Sequence, residues 1–148
     1  MTKVLLSLHV LAALLAVGPV AVAASMFPAT LRRAAADGEG TARTTLRTLH
    51  RVCRVYAGVG VAVPLFGLAT AGSLGVLGDG WLITSIVLTA AAAALLALLI
   101  LPAQDRALAT APSPVAPGRL AMLTGVFNLL WAAVTVLMIV RPGSTTGA

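Results

Sequence analysis

Four long apolar runs constrain the chain more than any other feature. They cover residues 4–27, 52–74, 81–101 and 120–140. A helix needs about 20 mostly apolar residues to cross a hydrocarbon core about 30 Å thick, and each run meets that length. The Ala, Leu, Val and Gly content of the runs favours helices over barrel strands. The sequence therefore predicts an all-α polytopic membrane protein: a single four-transmembrane-helix bundle over residues 1–148, with no separate soluble domain.

Composition supports a lipid environment over an aqueous one. Only 9% of residues are charged, 59% are hydrophobic, and the mean hydropathy is +1.03; soluble domains carry about 25% charged residues. The net charge of +6 does not indicate a nucleic-acid partner, because the basic residues lie at the ends of the runs and in their connections. The single cysteine excludes an internal disulfide and a multi-thiolate metal site.

The first run has two interpretations, because "GPVAVAASMFP" resembles a signal-peptide cleavage site followed by a mature chain. We favour a retained helix, with a kink at Gly18-Pro19 and its inner end at Pro28. If the first run is retained, eight of the ten basic residues lie near the connections between helices 1 and 2 and between helices 3 and 4, which share one side of the membrane. Cleavage of the first run would place these residues outside. Because basic connections stay cytoplasmic, the sequence predicts a multi-pass protein of the cytoplasmic (inner) membrane with both termini outside. The eight are Arg32, Arg33, Arg43, Arg47, Arg51, Arg54, Arg106 and Arg119.

A cationic helical face precedes the second run. Its members recur at helical spacing, which confines them to one arc; they are Arg43, Arg47, His50, Arg51 and Arg54. The four arginines are predicted to contact anionic lipid headgroups. A specific anionic ligand or partner is the alternative.

Few polar groups lie within the runs, and an ionisable residue there is a functional hypothesis by default. His9 is the clearest case, and Asn128 is a mid-membrane polar residue on a polar face of the fourth run. We predict an outward-facing polar pocket or, alternatively, a histidine that is satisfied by an interhelical hydroxyl. The two histidines lie near opposite membrane faces, about 28 Å apart, so they cannot share one metal or haem iron. The candidate pocket consists of His9, Thr84, Trp131 and Thr135.

Several function classes are disfavoured. All four carboxylates (Asp37, Glu39, Asp79 and Asp105) lie outside the runs, whereas small four-helix multidrug exporters need one in their first helix. Four-helix quinone-linked thiol oxidases need a cysteine pair, which one cysteine does not supply. No nucleophile–base constellation or phosphate-binding glycine loop is present, so no enzymatic activity, metal or cofactor is predicted.

Small residues recur in the second and third runs, and they allow close helix packing in lipid. They are Gly58, Gly60, Gly67 and Gly72, with five alanines at residues 90–94. The leading hypothesis is a subunit or scaffold that associates with itself or with a partner membrane protein. The alternative is a metal-, haem- or small-molecule-binding protein with a site around His9. "FPATLR" and "LPAQDR" end the first and third runs alike, as two parallel helical hairpins would.

Three stretches carry a resemblance: "LLSLHVLAALLAVGP", "GDGWLITSIVLTAAAAALLALLILPAQDR" and "GVFNLLWAAVTVLMIVRPGSTTG". Together they resemble a family of uncharacterised actinobacterial-type integral membrane proteins with four helices, including a histidine in helix 1 (here His9) and a tryptophan opening helix 3 (here Trp81). "LHVLAALLAVGP" is also remotely similar to the membrane part of copper-resistance proteins, although the Met/His-rich outer segments are missing. The resemblance implies the architecture and no particular activity.

Overall fold

The structure, a computed structural model, describes residues 1–37, 40–110 and 112–144. All regular secondary structure in these residues is helical. Four helices are long and apolar enough to cross a membrane, which confirms the predicted four-helix bundle and identifies a membrane protein. The first is α1 (Thr2–Asp37); the second is α2 (Gly40–Val59) followed by α3 (Ala62–Leu74). The third comprises α4 (Gly80–Ala94), a π-helical segment (Leu95–Ile100) and α5 (Leu101–Ala109). The fourth is α6 (Pro117–Val140).

The helices extend beyond the apolar runs at one end of the bundle. Pro28 was predicted to end the first helix, but α1 continues to Asp37, and this prediction is wrong. A proline removes one backbone hydrogen bond, and packing against a neighbouring helix offsets that loss. Here Phe27 and Leu31, on either side of the proline, are buried in one cluster with Leu46 of α2.

The second helix is broken near its middle. Between α2 and α3, Val61 donates to the carbonyl of Gly58 (3.2 Å) and Val63 to that of Gly60 (3.1 Å), which are turn-like bonds. Pro64 follows and has no N–H to donate. The break frees backbone acceptors inside the apolar layer, and such groups need new partners there.

The two ends of the bundle differ in composition. We call the end with the α1–α2 and α5–α6 connections the arginine end, and the end with the chain termini and the α3–α4 turn the terminal end. The arginine end has a large buried cluster of residues from α1, α2, α5 and α6. Its members are Ala23, Ala24, Phe27, Leu31, Leu46, Leu49, Cys53, Ala103, Ala107 and Leu120.

Two smaller clusters complete the interior. The middle cluster joins α1, the third helix and α6 through Val20, Ala92, Leu96, Ile100 and Phe127. The terminal cluster is formed by the buried Ala71, Trp81 and Leu82, with the partly buried Val76 and Met138 packed against them.

Large apolar side chains cover the outside of the bundle. Leu98 is 69% exposed, Leu129 71% and Ile139 74%. Leaving such a side chain in water forgoes about 1.5–3 kcal/mol of burial, whereas acyl chains solvate it without that loss. The outer surface is therefore suited to a bilayer.

Candidate functional site

A set of four polar side chains in contact with one another lies at the arginine end, between α2 and α5. We call His50, Cys53, Gln104 and Asp105 the His50 cluster. The first three are buried, with Gln104 and Cys53 both at 0% exposure, whereas the Asp105 side chain is 63% exposed. His50 lies beside Arg47, Arg51 and Arg54 as its spacing predicts, but its side chain is buried because α5 covers that edge of α2.

The position of Gln104 depends on the π-helical segment. Around that segment, the buried positions of the third helix are 92, 96, 100, 103 and 104. The two steps of four residues from 92 to 100 exceed the 3.6-residue period of an α-helix. The wider π turns accommodate this spacing, and π segments are frequent at functional sites. They keep Gln104 on the inner face after Pro102.

Hydrogen bonds connect the buried members of the cluster. The Nδ1 atom of His50 lies 2.9 Å from Oε1 of Gln104, and Nε2 of Gln104 donates to Sγ of Cys53 over 3.7 Å. The second bond directs the amide oxygen of Gln104 towards the imidazole. His50 and Cys53 are one helical turn apart, so a single side chain of α5 contacts both.

The second nitrogen of His50 faces the carboxylate. Nε2 lies 2.8 Å from Oδ1 of Asp105, which is an ion-pair distance, but the two atoms are not aligned as a hydrogen bond. Both ring nitrogens thus face acceptor oxygens, and both donate only when the ring carries two protons. The aligned bond to Gln104 is the firmer of the two contacts, since the carboxylate is largely exposed.

The four predicted lipid-contacting arginines divide into two groups. Arg43 donates from Nη2 to the carbonyl of Leu108 over 2.8 Å. Since Leu108 is in the last turn of α5, this bond satisfies a carbonyl that the helix end leaves open. Arg47, Arg51 and Arg54 are instead exposed along α2. Their contact with lipid stays a prediction.

The residues of the predicted outer pocket lie on three elements. His9 of α1 contacts α3: its Nδ1 is 2.8 Å from the carbonyl of Val63, and its ring approaches Gly67 so closely that a Cβ there would lie 2.9 Å from Cε1. Thr84 is exposed and donates to the carbonyl of Gly80 on its own helix.

The remaining two pocket residues are on α6. Thr135 is exposed and donates to the carbonyl of Trp131 over 2.8 Å. Trp131 packs edge-on against Phe127, with ring centroids 6.3 Å apart, and its Nε1 is buried without a hydrogen-bond partner. Thr135 and Trp131 are thus adjacent, His9 is engaged with α3, and the joint pocket stays a prediction.

The inner polar positions of α6 contact α1. Asn128 donates from Nδ2 to Oγ of Ser25 over 3.1 Å, and its Oδ1 is buried without a partner. Thr124 is buried and donates to the carbonyl of Ala24 over 3.4 Å. Among the residues that the structure describes, no group of three or more His, Cys, Asp or Glu could hold a metal ion; Glu39 lies outside them.

Sequence reasoning does not single out Gln104 or Cys53. Leu46, Leu49 and Cys53 recur every three or four residues beside His50, which is the period of one buried helical stripe. That stripe was the available signal for a His50 side chain turned towards the interior. The burial of Gln104 had no such signal, because it depends on a π segment that the local pattern does not reveal.

Comparison with known proteins adds no family to these observations: no protein-family model matches the chain, and neither curated proteins nor solved structures give a match.

Proposed function

We propose that the chain is a non-enzymatic subunit or scaffold of the cytoplasmic membrane that acts through helix–helix association, first of all with a second copy of itself. The arginine end would face the cytoplasm and both termini the outside, since basic connections are retained on the cytoplasmic side. In this orientation Trp81 and Arg141 would lie at the outer membrane interface. The guanidinium of Arg141 is 5.6 Å from the ring centroid of Trp81. Tryptophan is enriched at such interfaces.

The observation that carries the proposal is the exposure of small residues on the lipid-facing surface. Of the alanines at residues 90–94, only Ala92 is buried. On the second helix, a Cβ added at Gly58 would meet nothing within 4 Å. Small residues that face outward let a second helix approach closely, and that approach supplies the attraction between helices in lipid.

The contacts of His9 favour a structural role over a ligand site. Its Nδ1 is paired with the Val63 carbonyl at the break between α2 and α3, and its ring fills the space left by Gly67. A histidine in this position joins two helices where Pro64 weakens the second one. The predicted haem, metal or small-molecule site around His9 would need the same ring in a second role.

Association is tested by the mass of the protein in a detergent that preserves its fold. We expect the wild-type chain to form dimers or larger species, and Ala91→Phe to shift them towards monomers because a large ring blocks close approach. Leu129→Phe is the matched control, since Leu129 is 71% exposed on α6 and already large. A monomeric wild-type chain, or equal loss with both variants, would contradict the proposal.

Orientation is tested by labelling single cysteines with a membrane-impermeant maleimide in a Cys53→Ala background. Gly78→Cys places a thiol in the exposed turn before α4, and Pro114→Cys places one in the exposed connection before α6. We expect Cys at 78 to react in intact cells and Cys at 114 to react only after lysis. The reverse pattern would invert the proposed topology.

A further inference from the structure

An open groove lies at the arginine end, where α2 passes the last turn of α5. Its volume is about 490 Å³. It is lined by Arg47, His50, Arg51, Arg54, Val55 and Leu108.

The groove has an unbalanced positive charge. Arg47, Arg51 and Arg54 follow each other at i, i+4 and i+7, so their side chains lie along one face of α2. Among the described residues, none of the three has a carboxylate within ion-pair distance; the described ion pair at this end is between His50 and Asp105. Three guanidinium groups are thus available to one anion.

A buried histidine provides the second feature of the groove. His50 is 7% exposed, and its ring is held in place through the Nδ1 contact with Gln104. Its Nε2 has no hydrogen-bond partner, although the Asp105 carboxylate lies close to it. Because Nε2 already lies 2.8 Å from Oδ1 of Asp105, His50 forms part of the groove wall, and the three arginines provide the hydrogen-bond donors for an anion.

We infer that this groove binds the phosphate group of an anionic membrane phospholipid. Guanidinium groups pair with phosphate oxygens through two parallel hydrogen bonds, and the three arginines can surround one phosphate. Val55, which is 56% exposed, and Leu108 provide an apolar wall beside them. A lipid, unlike a free anion, supplies both the phosphate and the acyl chain that such a wall contacts.

The site rests on the proposed membrane location and is independent of self-association. Helix ends lie at the level of the headgroups, where an anionic leaflet attracts basic residues. The inference also separates Arg43 from the lipid-contacting group, because its guanidinium is bonded to the carbonyl of Leu108.

The test uses the purified full-length chain in neutral detergent and measures the rise in its thermal midpoint as phosphatidylglycerol or phosphatidylcholine is added. The concentration dependence of this rise gives the affinity for each lipid. We expect phosphatidylglycerol to bind at least about tenfold more tightly than phosphatidylcholine, and Arg47→Gln/Arg51→Gln to lose about tenfold of that affinity. The matched control is Arg32→Gln/Arg33→Gln, which removes the same charge from exposed arginines of α1. The control is expected to lose less than about threefold.

Two further measurements distinguish a phosphate site with defined hydrogen-bond geometry from a surface that attracts anions by charge alone. Arg51→Lys keeps the charge and removes the bidentate geometry. If the arginines bind the phosphate through defined hydrogen bonds, we expect this variant to bind phosphatidylglycerol about fivefold more weakly; attraction by charge alone would leave the affinity unchanged. Millimolar inorganic phosphate is expected to leave the thermal midpoint unchanged. Equal losses in the two double variants, an unaffected Arg51→Lys chain, or inorganic phosphate that raises the midpoint as much as the lipid would each overturn the inference. All chains are compared at one protein concentration, so that self-association contributes equally with and without lipid. Failure of the inference is then distinct from failure of the proposed self-association.

Discussion

The two ends of the bundle are held together in different ways. At the arginine end, a large apolar cluster is combined with a buried side-chain bond between helices, from His50 to Gln104, and with the bond from Arg43 to the end of α5. At the terminal end, three buried residues form the cluster, and His9 bonds to one backbone carbonyl of the neighbouring helix. Moving an apolar side chain from lipid into a contact with another apolar side chain gains little free energy. The local stability of a membrane bundle therefore depends on close packing and on interhelical hydrogen bonds. The difference indicates a firm arginine end and a looser terminal end.

The largest expected effect comes from the core of the arginine end. Phe27 is 0% exposed, and Phe27→Ala would leave a cavity among α1, α2 and α5, so we expect it to lower the free energy of unfolding by about 3–5 kcal/mol. Unfolding of the protein by SDS in mixed micelles measures the change. The neighbouring Met26 is 49% exposed, and Met26→Ala should stay within about 0.5 kcal/mol of wild type. Equal costs for the two substitutions would remove the distinction between core and lipid-facing positions.

A smaller effect is expected from the His50 cluster. Gln104→Leu removes the acceptor of His50 Nδ1 and the donor to Cys53, and we expect a loss of about 2 kcal/mol because a buried donor is left unpaired. Thr45→Val is the control, since the exposed Thr45 hydroxyl bonds within its own helix. In a double-mutant cycle with His50→Phe, the coupling energy should be at least about 0.5 kcal/mol. Additive losses would mean that the two side chains do not stabilise each other.

At the terminal end, alanine substitutions at two glycines of α3 are expected to change the free energy of unfolding in opposite directions. Gly67→Ala places a Cβ 2.9 Å from the ring of His9, which must move and weaken its bond to Val63, and we expect a loss of about 1 kcal/mol. Gly72→Ala meets open space on the same helix and should gain about 0.5–1 kcal/mol from its better helix propensity. Stabilisation by both substitutions would indicate that His9 does not fix the approach of α1 and α3.

The smallest expected difference is between two threonines of α6. Thr124 is buried and bonds across to α1, so Thr124→Val should cost about 0.6 kcal/mol, the average for such bonds in membranes. Thr135 is exposed and bonds to its own helix, so Thr135→Val should be near neutral in the same unfolding experiment. A larger cost at Thr135 would point to a partner for its hydroxyl in the outer half of the bundle.

The sequence predicts the four spans because bilayer thickness sets the length of an apolar helix, and the runs have that length. It misplaces the end of the first helix, because residues 28–37 are helical through the packing of Leu31 in one cluster with Leu46 rather than through hydropathy. The helix before the second run is predicted by the spacing of its arginines. The polar site is harder to predict. Spacing places His50 beside the arginines, but it does not tell which neighbour covers that edge of the helix, and the π segment that buries Gln104 leaves no pattern in the residue types.

The contrast between the two ends is tested most directly by the reactivity of one buried thiol at each end. Cys53 is native and 0% exposed at the arginine end; Ala71→Cys in a Cys53→Ala chain places a thiol in the terminal cluster, where Ala71 is 4% exposed. Each reaction rate with a small thiol reagent is expressed relative to the same chain unfolded in SDS, so that the ratio reports local opening. We predict that Cys53 reacts at least about tenfold more slowly than Cys at 71. Equal rates, or faster reaction at Cys53, would contradict a firm arginine end.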